Sequence, residues 1–146
     1  MPDINVRLKK LAPDIPDPIY GTQGAAGCDI HSNEDVVLQP GQRKLVMTGI
    51  CMEIPDGYEC QIRPRSGLAL KSGVIVFNTP STIDCDYRGE LGILLLNTSA
   101  IPFHVERKMR IAQLVFAPVT KATFETVGEL DKTPRGEGGW GSTGVR

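Results

Sequence analysis

Four short stretches set chemically pointed side chains beside the glycines and prolines that mark turns. "AAGCDI", residues 25 to 30, presents Asp29 after two alanines and a glycine, small residues that let backbones crowd together. "PRSGLALK", 64 to 71, places the bidentate donors of Arg65 before Ser66 and Gly67, which could open a short helix with outward-facing amides suited to an anion. "STIDCDYRGE", 81 to 90, reads as a charged hairpin, with Asp84 and Asp86 on one face of a period-2 strand and Tyr87 on the other. Two carboxylates on one face can bind a metal, or one can act as a base. "RGEGGWGSTG", 135 to 144, joins Arg135, Ser142 and Thr143 to Trp140, the sole tryptophan, in a glycine-rich run that includes Gly141. Tryptophan can bury about 150–250 Å², so an indole there suggests a phosphate-and-base grip. Each stretch also has a plain reading: an Asx turn, a capped surface turn, a charged hairpin tip and a disordered tail.

The elements that must position these residues are strands. "INVRL" alternates, and "KLVMTGICMEI", "ECQIRP", "GVIVF", "ELGILLLN", "FHVE" and "RIAQLVF" are short runs rich in Val, Ile and Leu. Turn signals separate them at Pro40-Gly41, Asp56-Gly57, Asn78-Thr79-Pro80 and Tyr87-Arg88-Gly89. Only "SGLALK", 66 to 71, invites a helix, with Ser66 as its N-cap. The plan is all-β, as in sandwiches and jelly rolls. "LAPDIPDPIYGTQGAAG" reads as a loop laid across a surface. From Thr133 onward glycine takes over, as expected of a mobile arm. The expected division is therefore a barrel over 1–132 and an arm over 133–146.

The 146 residues suit one domain able to bury about 68–70% of its unfolded surface. A net charge of −1 with mixed signs argues against a broad nucleic-acid surface, though not against a small basic pocket. No apolar stretch reaches membrane-spanning length or makes a signal peptide. Cys28, Cys51, Cys60 and Cys85 lack metal-ligand spacing and read as reduced thiols in a cytosol-like compartment. His31 and His104 read as surface or strand residues, and Arg107, Lys108 and Arg110 as a mix of solvated and structural charges.

In this order the four stretches, with "RIAQLVF" from Arg110, resemble the five motifs of the trimeric dUTPase family (deoxyuridine triphosphate nucleotidohydrolases), spanning residues 25 to 144. The resemblance implies a β-clip or distorted jelly-roll barrel with one short helix, a homotrimer with shared active sites, and hydrolysis of dUTP to dUMP and pyrophosphate. That reaction limits uracil in DNA and supplies dUMP for dTMP synthesis. A cytoplasmic enzyme is implied, or a nuclear one in a eukaryotic or viral host. No membrane and no direct nucleic-acid partner are expected.

Roles carry over by position. Asp84 matches the carboxylate that deprotonates the attacking water. Asp29 and Gln113 match residues that hold magnesium, Mg2+, through water, and Gln113 also faces the substrate. Arg65, Ser66 and Gly67 match the phosphate-binding turn, and Tyr87 the ring under the deoxyribose. Asn78 and Ile83 belong to the hairpin whose backbone reads uracil. Arg135, Trp140, Gly141, Ser142 and Thr143 match the arm that closes over the nucleotide, with tryptophan where the family usually has phenylalanine. Two departures stand out: Ser81 where glycine is common, and Lys108-Met109 where the family often shows Gly-Asp. A dCTP deaminase, which shares the fold, would be expected to lack both the aspartate hairpin and the arm. A nucleotide-gated regulator with little turnover is the rival from another class.

Overall fold

The computed structural model describes residues 3–145. The outermost residues of the two expected units, 1, 2 and 146, lie outside this range. Among the described residues the chain forms β1 (Arg7–Lys10), β2 (Ile19–Tyr20), β3 (Cys28–His31), β4 (Val36–Leu38), β5 (Arg43–Glu53), β6 (Tyr58–Arg63), α1 (Ser66–Ser72), β7 (Val74–Val76), β8 (Ser81–Ile83), β9 (Glu90–Asn97), β10 (Phe103–Val105) and β11 (Arg110–Pro118). The all-β expectation with one short helix holds. Among these residues no helix is long and apolar enough to cross a membrane.

Two sheets enclose one core. The first orders its strands β1-β5-β9-β7 and the second β2-β3-β11-β6-β8, while β4 and β10 form a separate pair. Strand β9 shows why this sequence makes a strand: in "ELGILLLN" Leu91, Ile93, Leu95 and Asn97 are buried and the residues between them are only partly covered. Period-2 alternation puts one face on the core, and each buried Leu or Ile contributes about 1.5–3 kcal/mol. Ile30, Ile62 and Leu114 of the second sheet meet Val46, Ile50 and Ile93 of the first in the same cluster. The proline-rich stretch runs over the surface as expected, except that it carries the short strand β2, paired with β3, and that Ile15 plugs the core at 1% exposure. Strand β5 kinks where its register with β9 shifts between Met47 and Cys51. Gly49 sits inside that break at φ 71°, and its amide oxygen accepts from Leu11, fixing the loop that follows β1.

Three sequence readings are corrected. Asp29 is not on a loop: it lies on β3, whose four residues are all buried. Residues 81 to 90 are not a hairpin, because β8 pairs with β6 in one sheet while β9 pairs with β5 and β7 in the other. The segment from Asp84 to Gly89 instead crosses between the sheets as a turn, so Asp84 and Asp86 share no strand face. Arg65, not Ser66, is the N-cap of α1 at φ −84°, ψ 129°, and no side chain caps the helix. The helix ends at Gly73, φ 66°, whose N–H returns to Ala69 and Leu68 in a left-handed cap that glycine adopts most readily.

Candidate active site

The first group of predicted residues is built on β3 and β11. These strands pair with Asp29 opposite Gln113 and His31 opposite Arg110. A bulge between Arg110 and Ala112 breaks the alternation and re-aims the strand end. Arg110 Nη1 then reaches Asp29 Oδ2 at 3.1 Å, and Arg65 Nε stands 3.3 Å from Asp29 Oδ1. The Arg65 contact is an ion pair without hydrogen-bond alignment, so Oδ1 accepts no hydrogen bond although it is buried. Arg65 Nη1 also donates to the Arg110 carbonyl at 3.2 Å, locking the two arginines together. Asp29 is 8% exposed, and stranding a buried charge costs about 3–5 kcal/mol, so the carboxylate requires this pair of cations. Gln113 Oε1 lies 3.1 Å from where a side chain at Gly27 would begin, so Gly27 gives the amide its room.

Beside this cluster opens a polar hollow of about 470 Å³, lined by His31, Arg65, Arg107, Lys108, Arg110 and neighbours. His31 is 7% exposed, and burial holds its imidazole below the usual range. Arg110 and Arg65 add to that effect, while Asp29 opposes it. Behind the wall Asp14 takes both Nη atoms of Arg107, at 2.6 and 2.7 Å, and the Lys108 ammonium at 3.3 Å. Those two cations hold its carboxyl well below the usual range, with the Arg107 hydrogen bonds the larger cause. Ser66 and Gly67 begin α1 directly after Arg65 and are exposed.

The second group lies elsewhere on the chain. Asp84 and Tyr87 line a cleft of about 310 Å³ together with Leu45, Met47, Thr82, Ile83, Glu90 and Gly92. The Tyr87 N–H donates to the Asp84 carbonyl at 3.2 Å, closing the turn that presents the exposed Asp84 side chain. The Tyr87 hydroxyl donates to the Glu90 carbonyl at 2.9 Å, which fixes the ring along the cleft. Arg88 donates to the carbonyls of Cys85 at 2.6 Å and Tyr87 at 3.3 Å and reaches Glu53 at 3.7 Å, tying the turn to β5. Asn78 is exposed in the link between β7 and β8, one residue before the cis bond joining Thr79 and Pro80. The cleft and the basic hollow share no lining residue.

The arm meets neither group. After Pro118 no strand or helix follows among the described residues, and the chain is exposed almost throughout. Arg135 Nε donates to the Gly138 carbonyl at 2.8 Å, and turns closed by Ser142 N–H on Gly139 and Gly144 N–H on Gly141 follow. Trp140, at φ 34°, is fully exposed, as is Phe124 nearby in sequence at 97%. A single copy thus holds Asp29, Arg65 and Gln113 together and Asp84, Ile83 and Tyr87 together, and leaves Arg135, Trp140, Gly141, Ser142 and Thr143 outside both.

Two residues named in the sequence take on roles that only the structure assigns. Arg110 serves as partner to Asp29 across 81 positions, and only the pairing of β11 with β3, with its bulge, brings them together. Lys108 adopts φ 72° at the place where glycine is common in the family it resembles, and its N–H is held by the Ser32 carbonyl at 2.7 Å. A lysine there bears about 1–2 kcal/mol of strain that glycine would not. Ser81 lies in β8 and is not among the positive-φ residues, so it carries no such cost. All four cysteines are free. Burial pushes the Cys60 thiol up to about 12 and raises that of Cys28, which leaves both unreactive.

The dUTPase family model matches residues 14–144. The deoxyuridine 5'-triphosphate nucleotidohydrolase of Nautilia profundicola is 54% identical over 141 residues, 97% of this chain and 99% of that protein. Its counterpart in Zymomonas mobilis is 52% identical over 144 residues, 97% of this chain and 99% of its own. The solved structure of a Staphylococcus bacteriophage 80alpha dUTPase with dUpNHpp aligns at a TM-score of 0.88 and 29% identity, covering 97% of this chain and 99% of that one. With its motifs distributed over β3, α1, the inter-sheet turn, β11 and the arm, this chain belongs to the dUTPase family.

Proposed function

We propose that this chain hydrolyses dUTP to dUMP and pyrophosphate, at sites completed by further copies of itself in a homotrimer. The observation that carries the proposal is the separation within one chain of a base-and-sugar cleft holding Asp84 and Tyr87 from an arginine–carboxylate cluster holding Asp29, Arg65 and Arg110. Neither hollow alone joins a general base to phosphate-binding charge, and juxtaposing one copy's cleft with another's cluster supplies both. The exposed arm then provides Arg135 and the indole of Trp140 as a cover.

In this scheme Asp84 accepts a proton from water as its oxygen attacks the α-phosphorus, and pyrophosphate leaves. A positioned base of this kind contributes about 10²–10⁴-fold. Arg65, Arg110 and Arg135 meet the negative charge that builds on the phosphates. Tyr87 lies under the deoxyribose where a 2′-hydroxyl would clash, and the backbone from Asn78 to Ile83 pairs with uracil. Arm closure over the site excludes bulk water.

The residues fit magnesium held at a distance. Among the described residues no three His, Cys, Asp or Glu side chains converge on one point, so an all-protein cage is absent there. A buried carboxylate oxygen on Asp29 without a hydrogen bond, with Gln113 opposite, suits an ion that keeps its waters and uses one or two carboxylates plus substrate phosphates. Asp29 and Gln113 would hold it through those waters, and when bound it offsets phosphate charge.

A panel of dUTP, dTTP, dCTP and UTP with pyrophosphate detection tests the proposal. Pyrophosphate and dUMP are expected from dUTP, with little from the others. Ammonia released from dCTP would assign the chain to the deaminases instead, and tight dUTP binding without turnover would make it a regulator.

A further inference from the structure

We propose that Lys108 and His31 give this chain an added contact for the terminal phosphates of a bound triphosphate, in the hollow beside Asp29. The inference rests on the dUTPase reading above and concerns residues to which that reading gives no role.

Three observations meet in the hollow. Four cationic side chains line it, Arg65, Arg107, Lys108 and Arg110, against a single lining carboxylate, Glu106. Their charges are not equally free. Asp14 takes the Arg107 guanidinium through two short bonds, and Asp29 is shared by Arg65 and Arg110. Lys108 touches Asp14 at the longer distance of 3.3 Å and is 46% exposed, so its ammonium can turn toward an anion at little cost. The second observation is backbone conformation. Lys108 sits at φ 72°, held there by Ser32, where glycine would rest without strain. A lysine at such a position projects a charge from a turn tip that the Gly-Asp pattern leaves bare, and Met109 removes the neighbouring carboxylate of that pattern. The third is His31, more than nine-tenths buried in the hollow's wall, whose Nδ1 finds no hydrogen-bond partner. An orphaned ring nitrogen costs folding free energy, which a turn of the ring that brings Nδ1 to a ligand oxygen would recover.

The ligand class follows from the charges. Several cations around an open polar hollow of about 470 Å³ suit a compact polyanion with many acceptor oxygens, namely a di- or triphosphate group. The α-phosphate of a nucleotide lies nearest the attacked bond and Asp84. The hollow therefore takes the phosphates beyond it and also the pyrophosphate released from them.

Calorimetric titration of inorganic pyrophosphate and of dUMP, in chelator and at fixed ionic strength, tests this without turnover. Lys108→Gly and Lys108→Asn both tolerate the left-handed backbone, so both variants fold. Each is expected to weaken pyrophosphate binding about tenfold, and His31→Phe about threefold, while dUMP affinity stays unchanged. Lys9→Asn, a charge removed from exposed β1, serves as the control and leaves both affinities as they were. Equal pyrophosphate affinity in wild type and both Lys108 variants overturns the inference, as does a wild type that does not bind pyrophosphate. Turnover of dUTP, followed in parallel, bears on the functional reading alone: its absence defeats that reading, whereas turnover with unmoved pyrophosphate affinity defeats only this one.

Discussion

Gly89→Ala should unseat the Tyr87 ring, proposed above as the floor of the sugar, without unfolding the chain. A Cβ on Gly89 would stand 2.6 Å from Tyr87 Cζ and 2.8 Å from Cε1, and closer still to the hydroxyl. Atoms do not pack so closely, so the ring must swing about χ1. It is 44% exposed and has open solvent to swing into, which spares the core. The loss is the 2.9 Å hydrogen bond to the Glu90 carbonyl, about 0.5–1.5 kcal/mol. For a domain of this size that lowers the melting temperature by roughly 1–6 °C. The effect on specificity is larger. With the ring displaced, the dUTP kcat/KM falls about tenfold and that for UTP much less, so discrimination against the ribonucleotide shrinks by about an order of magnitude. Steady-state kinetics on both nucleotides, beside a melting curve, reads this directly. A folded variant with an unaltered dUTP-to-UTP ratio would refute the assignment of Tyr87 as the sugar's floor.

Asp84→Asn should keep nucleotide affinity and lose about 10²–10⁴-fold in kcat, because the exposed side chain holds no structure together; single-turnover kinetics with a parallel binding curve checks both halves. Ending the chain after Pro134 should leave the sheets intact, since the hydrogen bonds of the described arm residues stay within residues 133–144, yet abolish nearly all turnover; full activity would show that the arm is no cover. For Cys60 the sign is fixed by its raised pKa: the unfolded thiol ionises near about 8.5 while the folded one holds its proton to about 12. Its contribution to stability is therefore present below about pH 8.5 and is lost as pH rises toward 12. Alkylation at pH 9, located by mass spectrometry, should mark Cys85 well before Cys60 or Cys28; equal rates would contradict the buried-thiol account.

Strands with one buried face were legible, and "ELGILLLN" maps onto β9 because alternation records which face meets the core. Strand β3 left no such record. All four of its residues are buried, and the small residues before it resembled a turn. The aspartate turn was legible as a turn at Tyr87-Arg88-Gly89 but not as a crossing. Local turn chemistry does not state which sheet receives the next strand, and the pairing of β8 with β6 is a tertiary fact. The α1 start missed by one residue because an N-cap is a backbone conformation, here adopted by Arg65 with no side-chain bond. The candidate site residues Asp29 and Asp84 were marked by their motif neighbours, whereas Arg110 and Lys108 gained meaning only from strand pairing and dihedral angle.

The central claim is that two partial sites on one chain become whole between copies. Co-refolding Asp84→Asn chains with Asp29→Asn chains, each inactive alone, measures it directly. If sites are shared, random mixing of equal amounts restores about a quarter of wild-type turnover, since one copy then supplies an intact cleft and another an intact cluster. A mixture as inactive as its two components would show that each chain must complete its own site, and the account would be wrong.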